Sequence, residues 1–175
     1  TVLDTAGART AASITAGIIA TPGQLLALPR PTGSTIVTVE PTRVLDTRAN
    51  IGLTGPQPAN TSRKLQITGT VPTYIEATQT TTNKIVVPPG ATGVLPNITA
   101  IAPTAAACLS IRPGTATGTP ATSALNFTPG DVIPNAVTVR VGQDDQISVY
   151  NNVGNTDVVI DVVGYYRPVD GTGYT

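Results

Sequence analysis

Arg43, Asp46 and Arg48 stand together in Pro41-Thr-Arg-Val-Leu-Asp-Thr-Arg, the densest charge group in a chain of which only 11% is Asp, Glu, Lys or Arg. Two chemistries suit such a group. A guanidinium can grip a carboxylate or a sugar through two parallel N–H donors. Alternatively, Arg43 or Arg48 compensates Asp46 and the distant carboxylate Asp161 in a structural ion-pair network. The second is the expectation, because a buried carboxylate without a partner is costly. Thr42, Asp46 and Thr47 are also residue types that bond their own backbone at turns.

Other chemistry finds little to build on. The chain has no His, Met or Trp and a single cysteine, Cys108, so imidazole acid–base catalysis, Cys-rich zinc clusters and intrachain disulfides are excluded. Cys108 lies in the apolar run Thr104-Ala-Ala-Ala-Cys-Leu-Ser-Ile, where a buried, inert thiol is expected. Asp144, Asp145, Asp157 and Asp161 could be oxygen ligands for a hard cation, but their order fits no calcium loop and Asp144-Asp145 reads as a turn. Paired carboxylates for glycoside hydrolysis are weighed and set aside for the same reason. No cofactor is expected. Of six aromatic residues five are Tyr, and Tyr165 and Tyr166 are read as packing at a strand end.

Ten basic residues balance ten acidic ones, and without a Lys/Arg run nucleic acid is not an expected partner. No stretch reaches the roughly 18 consecutive apolar residues of a membrane span. Thr1 comes first and no Met occurs. Together with the lack of a basic segment followed by an apolar core in residues 1–20, this fits a clipped initiator Met and no signal peptide. A mature secreted chain is the alternative.

The residues that must position these charges read as mostly β, since Thr and Val favour extended backbone. Strands are predicted at 34–40, 63–70, 84–87, 93–101, 106–111, 122–127, 136–141, 146–150 and 157–163, with Gly, Pro, Asn and Asp turns about every ten residues. Val137, Val139 and Val141 alternate with polar positions ahead of the turn Gly142–Asp145, after which Ile147 and Val149 resume the pattern, predicting an antiparallel hairpin. In 157–163, Val158, Ile160 and Val162 face one way and Asp157, Val159, Asp161 and Val163 the other. That strand is expected to be central, with Asp161 needing a partner. The fold class is therefore all-β, an antiparallel β-sandwich or jelly roll over residues 34–168, with an N-terminal arm (1–33) and a short tail (169–175). In the arm, Ile14, Ile18, Ile19, Leu25, Leu26 and Leu28 form an apolar patch, either a short helix or an extended segment, expected to dock on a neighbour. Val2-Leu-Asp-Thr recurs as Val44-Leu-Asp-Thr, but without a third copy no repeat architecture follows.

Five segments in order carry a resemblance: Pro41-Thr-Arg-Val-Leu-Asp-Thr-Arg, Val87-Pro-Pro-Gly-Ala-Thr-Gly-Val-Leu-Pro-Asn-Ile-Thr-Ala, Ser123-Ala-Leu-Asn-Phe-Thr-Pro-Gly, Ile133-Pro-Asn-Ala-Val-Thr-Val and Asp157-Val-Val-Ile-Asp-Val-Val-Gly-Tyr-Tyr. They resemble the "PTRLLDTR … DVVGYF" modules of actinobacterial surface proteins, which are also similar to tailed-phage structural proteins. The resemblance spans about residues 39–166 and implies a β-rich extracellular or virion module without catalysis. With the composition, it leads to the expectation of a non-enzymatic bacteriophage protein, a capsid decoration or cement protein on the outer shell surface. Its expected partners are the major capsid protein and its own copies, as a homotrimer. The alternative is a secreted surface-adhesion or carbohydrate-binding module; a hydrolase is the third class.

Overall fold

The structure is a computed structural model and describes residues 33–169. The predicted arm, including Ile14, Ile18, Ile19, Leu25, Leu26 and Leu28, and the tail beyond Val169 lie outside the described residues.

Eleven strands follow in chain order: β1 (Ser34–Asp46), β2 (Thr61–Gln66), β3 (Thr70–Ile75), β4 (Thr80–Ile85), β5 (Gly93–Ile101), β6 (Ala107–Pro113), β7 (Leu125–Phe127), β8 (Val132–Ala136), β9 (Val139–Arg140), β10 (Gln146–Asn151) and β11 (Asp157–Pro168). One sheet runs β1-β11-β5-β8, with β9 also on β5; a second runs β2-β10-β6-β7; β3 and β4 form a separate ribbon. Setting aside that ribbon and the two-residue β9 leaves eight strands, whose pairs are nested. The first pairs with the last (β1–β11), the second with the second-last (β2–β10), and so inward through β5–β8 to β6–β7, all antiparallel. A long hairpin rolled onto itself in this way is a jelly roll, which decides between the two architectures left open by the sequence.

Period-two patterning explains why the roll closes. Along β5, Val94, Ile98 and Ala100 are buried, and along β11 Val158, Ile160 and Val162 are, while residues between them are mostly half-exposed. From the facing sheet, Leu65, Leu109, Leu125, Phe127, Ile147 and Val149 complete one core cluster. β11 lies between β1 and β5, as expected of the strand with the longest apolar run. β1 tolerates Pro41 because its register with β11 shifts between Thr38 and Thr42, so no ladder donor is required there.

Several expectations change. The predicted strand 63–70 is two elements, since β2 ends at Gln66 and Gly69, at φ +74°, turns the chain into β3. The β3–β4 ribbon was missed apart from Thr70, Lys84 and Ile85; β4 is exposed along its whole length and carries no apolar alternation. The predicted 122–127 shortens to Leu125–Phe127. The hairpin predicted across Gly142–Asp145 is not one: its turn exists, with Asp145 N–H donating to Gly142 O at 3.0 Å and Gly142 N–H to Gln146 O at 2.9 Å. However, β9 pairs with β5 in one sheet whereas β10 pairs with β2 and β6 in the other. Val141 N–H instead donates to Thr92 O at 3.1 Å, so the turn is a corner carrying the chain from sheet to sheet.

Candidate functional site

Asp46 ends β1, and its side chain is 7% exposed. Beyond it the backbone doubles back, with Asp46 N–H donating to Ile51 O at 3.1 Å and Ala49 and Ile51 N–H donating to Asp46 O at 3.1 and 3.0 Å. This turn brings Arg48 back over the strand end. Arg48 Nε donates to Asp46 Oδ1 at 2.9 Å, Nη2 to Oδ2 at 2.7 Å, and the Arg48 N–H to Oδ1 at 3.1 Å. Thus the guanidinium grips the carboxylate side-on while the backbone caps it.

Arg43 reaches Asp46 from one turn of pleat earlier, Nη1 to Oδ2 at 3.4 Å. Its main engagement is across the sheet. Arg43 and Asp161 are register partners of β1 and β11, so their side chains leave the same face, and Nε and Nη2 donate to Asp161 Oδ1 and Oδ2 at 2.9 and 3.2 Å. Arg43, Asp46, Arg48 and Asp161 therefore meet in one chain of ion pairs. Beside it, Thr47 Oγ1 donates to Asp157 Oδ1 at 2.6 Å and accepts from Val158 N–H at 3.0 Å.

The charges shift one another accordingly. The hydrogen-bonded Arg48 guanidinium holds the Asp46 carboxyl below its ordinary range, outweighing the desolvation that pushes it up. Arg43 is raised above its usual value chiefly by its hydrogen bond to Asp161, and Arg48 by its bond to Asp46.

The remaining acids go elsewhere. Lys64 Nζ donates to Asp144 Oδ2 at 2.7 Å and lowers the Asp144 carboxyl, while Asp157 is held by Thr47. Among the described residues no three His, Cys, Asp or Glu side chains gather. Cys108, expected to be buried, is half-exposed, because alternation along β6 turns Leu109 inward and Cys108, paired with Asn126, outward. Tyr165 packs against the core edge. Tyr166 lies over Gly93, where a Cβ would stand 3.1 Å from its ring.

A cavity of about 260 Å³ opens onto the ion-pair chain, lined by Pro41, Arg43, Tyr74, Glu76 and Asp161. Tyr74 is the penultimate residue of β3 and Glu76 begins the turn to β4, and both were missed with the ribbon that carries them. β3 is anchored by Val71 and Thr73, which are 1% and 0% exposed, and by the Thr73 hydroxyl donating to Thr82 O at 3.1 Å. The sequence signal was available only as Val71-Pro-Thr-Tyr-Ile, a short run of β-favouring residues interrupted by Pro72.

The chain matches no protein-family model, no curated protein and no solved structure. Fold and geometry are what speak for its function.

Proposed function

We propose that the chain is a non-enzymatic structural protein of a bacteriophage particle, a decoration or cement protein on the outer face of the shell. It binds the major capsid protein and its own copies, as a trimer, through the apolar residues of the segment 1–33. The observation that supports this is the placement of the domain's two ends. Ser34 is the register partner of Pro168, and Val169 N–H donates to Gly33 O at 3.0 Å, so both ends of the roll sit side by side on one edge. A domain held at one such point presents every other face outward, as a knob on a shell requires. The Arg43–Asp161 bridge ties the same two strands together. This reading assigns the densest charges of the chain to holding the knob closed under load.

Jelly rolls serve in viral shells and in lectins alike, and fold alone does not choose. The second reading, a secreted adhesion or carbohydrate-binding module, draws on the cavity beside Arg43. Co-sedimentation separates the two. The full chain is expected to sediment with heads of the encoding phage that lack their decoration layer, and a chain lacking residues 1–33, shown folded by its melting curve, is expected to lose that binding. Undiminished binding by the shortened chain removes the role given to 1–33. A gene lying outside any block of phage structural genes overturns the particle assignment.

A further inference from the structure

We infer that the cavity enclosed by Arg43, Tyr74, Glu76 and Asp161 binds one neutral sugar ring, at the end of a glycan, independently of whether the chain belongs to a virion.

The cavity is built from two sources. Pro41, Arg43 and Asp161 come from the edge of the jelly roll, whereas Tyr74 and Glu76 come from the β3–β4 ribbon inserted between the second and third strands of the roll. The roll's nested pairing is complete without that ribbon. Among the described residues neither the Tyr74 hydroxyl nor the Glu76 carboxylate makes a hydrogen bond. Opposite them, the Arg43 guanidinium is locked by Asp161 and Asp46. One wall is thus rigid before any ligand arrives, which lowers the cost of ordering on binding.

Charge and hydrogen-bonding capacity select the ligand. The lining sets Arg43 against Asp161 and Glu76, a balance of one negative charge, so a phosphate or uronic acid would meet repulsion as well as the already neutralised Arg43. An ammonium donates only, so it offers no acceptor to the Tyr74 hydroxyl or to the unspent Arg43 N–H groups. A hydroxyl both donates and accepts. It can give its proton to Glu76 or to the second lone pairs of Asp161, and accept from Tyr74 or from the Arg43 N–H groups not spent on Asp46 and Asp161. The half-buried Tyr74 adds ring surface for the C–H face of a pyranose. At about 260 Å³ the space falls just under the roughly 300–1,000 Å³ of pockets for drug-sized ligands, so it takes a single ring.

For about a dozen heavy atoms at ordinary ligand efficiency, Kd is on the order of 1 mM, strengthened on a glycan-covered surface by display of several copies. The test is a titration of the full, isotope-labelled chain with methyl β-D-galactopyranoside, methyl α-D-glucopyranoside and methyl α-D-mannopyranoside, followed by amide NMR shifts. Glucuronic acid and glucosamine serve as charged controls. Saturable shifts confined to the amides near Arg43, Tyr74, Glu76 and Asp161 are expected for at least one neutral sugar. Tyr74→Ala should weaken binding by tenfold or more, Tyr74→Phe by less, and Glu76→Gln by several-fold, with melting curves unchanged for Glu76→Gln and Tyr74→Phe. Arg43 is left intact, because its loss would unpair Asp161. Absence of saturation for all three neutral sugars overturns the inference, as does binding that survives Tyr74→Ala unchanged. Stronger binding of either charged sugar overturns the assignment to a neutral ring. Failure here leaves the sedimentation result untouched, and the reverse holds too.

Discussion

Asp46 shows how a charge-poor protein uses a carboxylate. It is 5% exposed and accepts four hydrogen bonds, three from Arg48 and one from Arg43. Asp46→Asn keeps the size but removes the charge, leaving Arg48 without its counter-ion and Arg43 with Asp161 alone. Because Arg48 is half in water, the cost falls below that of a fully buried pair, at about 2 kcal/mol. The pH dependence follows from the direction of the shift. A carboxyl lowered by folding stabilises the native state at every pH above its unfolded value, and that contribution fades as pH falls through the lowered one. Urea denaturation should therefore show the wild type ahead of Asp46→Asn at neutral pH, with the gap closing as pH falls below the ordinary carboxylate range and through the lowered value; a gap that widens in acid contradicts the assignment. The grouping of Arg43, Asp46, Arg48 and Asp161 was readable in the sequence because charges are so scarce that each needs a partner. Arg43 and Asp161, 118 positions apart, were linked by that need alone. Tyr74 and Glu76 were not readable, since an unpaired tyrosine and an exposed glutamate resemble ordinary surface until the ribbon places them.

At the scale of elements, the corner between β9 and β10 is tightly constrained. A Cβ on Gly142 would collide with the Asp144 carboxylate and come within 2.8 Å of Gly114 N and 3.0 Å of Gln146 O. Backbone cannot withdraw from those positions, because Gly114 N–H and Gly142 N–H both donate to Gln146 O, at 2.8 and 2.9 Å. Gly142→Ala is expected to lower stability by about 2 kcal/mol or more. Gly33→Ala, where a Cβ meets nothing within 4 Å, should leave the melting temperature unchanged. Equal effects at the two sites would show that the corner is not close-packed. This corner also shows why part of the fold was hidden. Turn residues reveal that the chain reverses, but not which sheet it joins, because that is decided by partners such as Thr92 and Tyr166 far along the sequence. β5, with clean alternation, matches its predicted range, and β11 begins where predicted but runs on to Pro168. β4, in Thr80-Thr-Thr-Asn-Lys-Ile, has both faces exposed and so no periodic signal to detect. The jelly roll was one of two architectures consistent with the pattern, and only the nested pairing separates them.

For the whole molecule, nested pairing dictates an order of assembly. The β6–β7 pair joins Ala107 to Phe127 across one short stretch, whereas β1–β11 joins Ser34 to Pro168 across nearly the whole described domain. Closing the longer stretch first costs about 1.5–2 kcal/mol more in chain entropy than closing the shorter one, and each inner pair shortens the loop that the next must close. The roll is therefore expected to zip from β6–β7 outward, with β1 and β11 docking last, and to refold slowly for its size because most contacts are distant in sequence. Leu125 on β7 is 5% exposed and Ile160 on β11 is 0% exposed, so truncating either to Ala costs about 2–5 kcal/mol at equilibrium, large enough for both to report on the transition state. Stopped-flow measurements should show Leu125→Ala mainly slowing refolding and Ile160→Ala mainly accelerating unfolding. The opposite partition would mean that the terminal strands nucleate the fold. In that event the Arg43–Asp161 bridge, which spans those strands, would have to form early instead of sealing a roll already built.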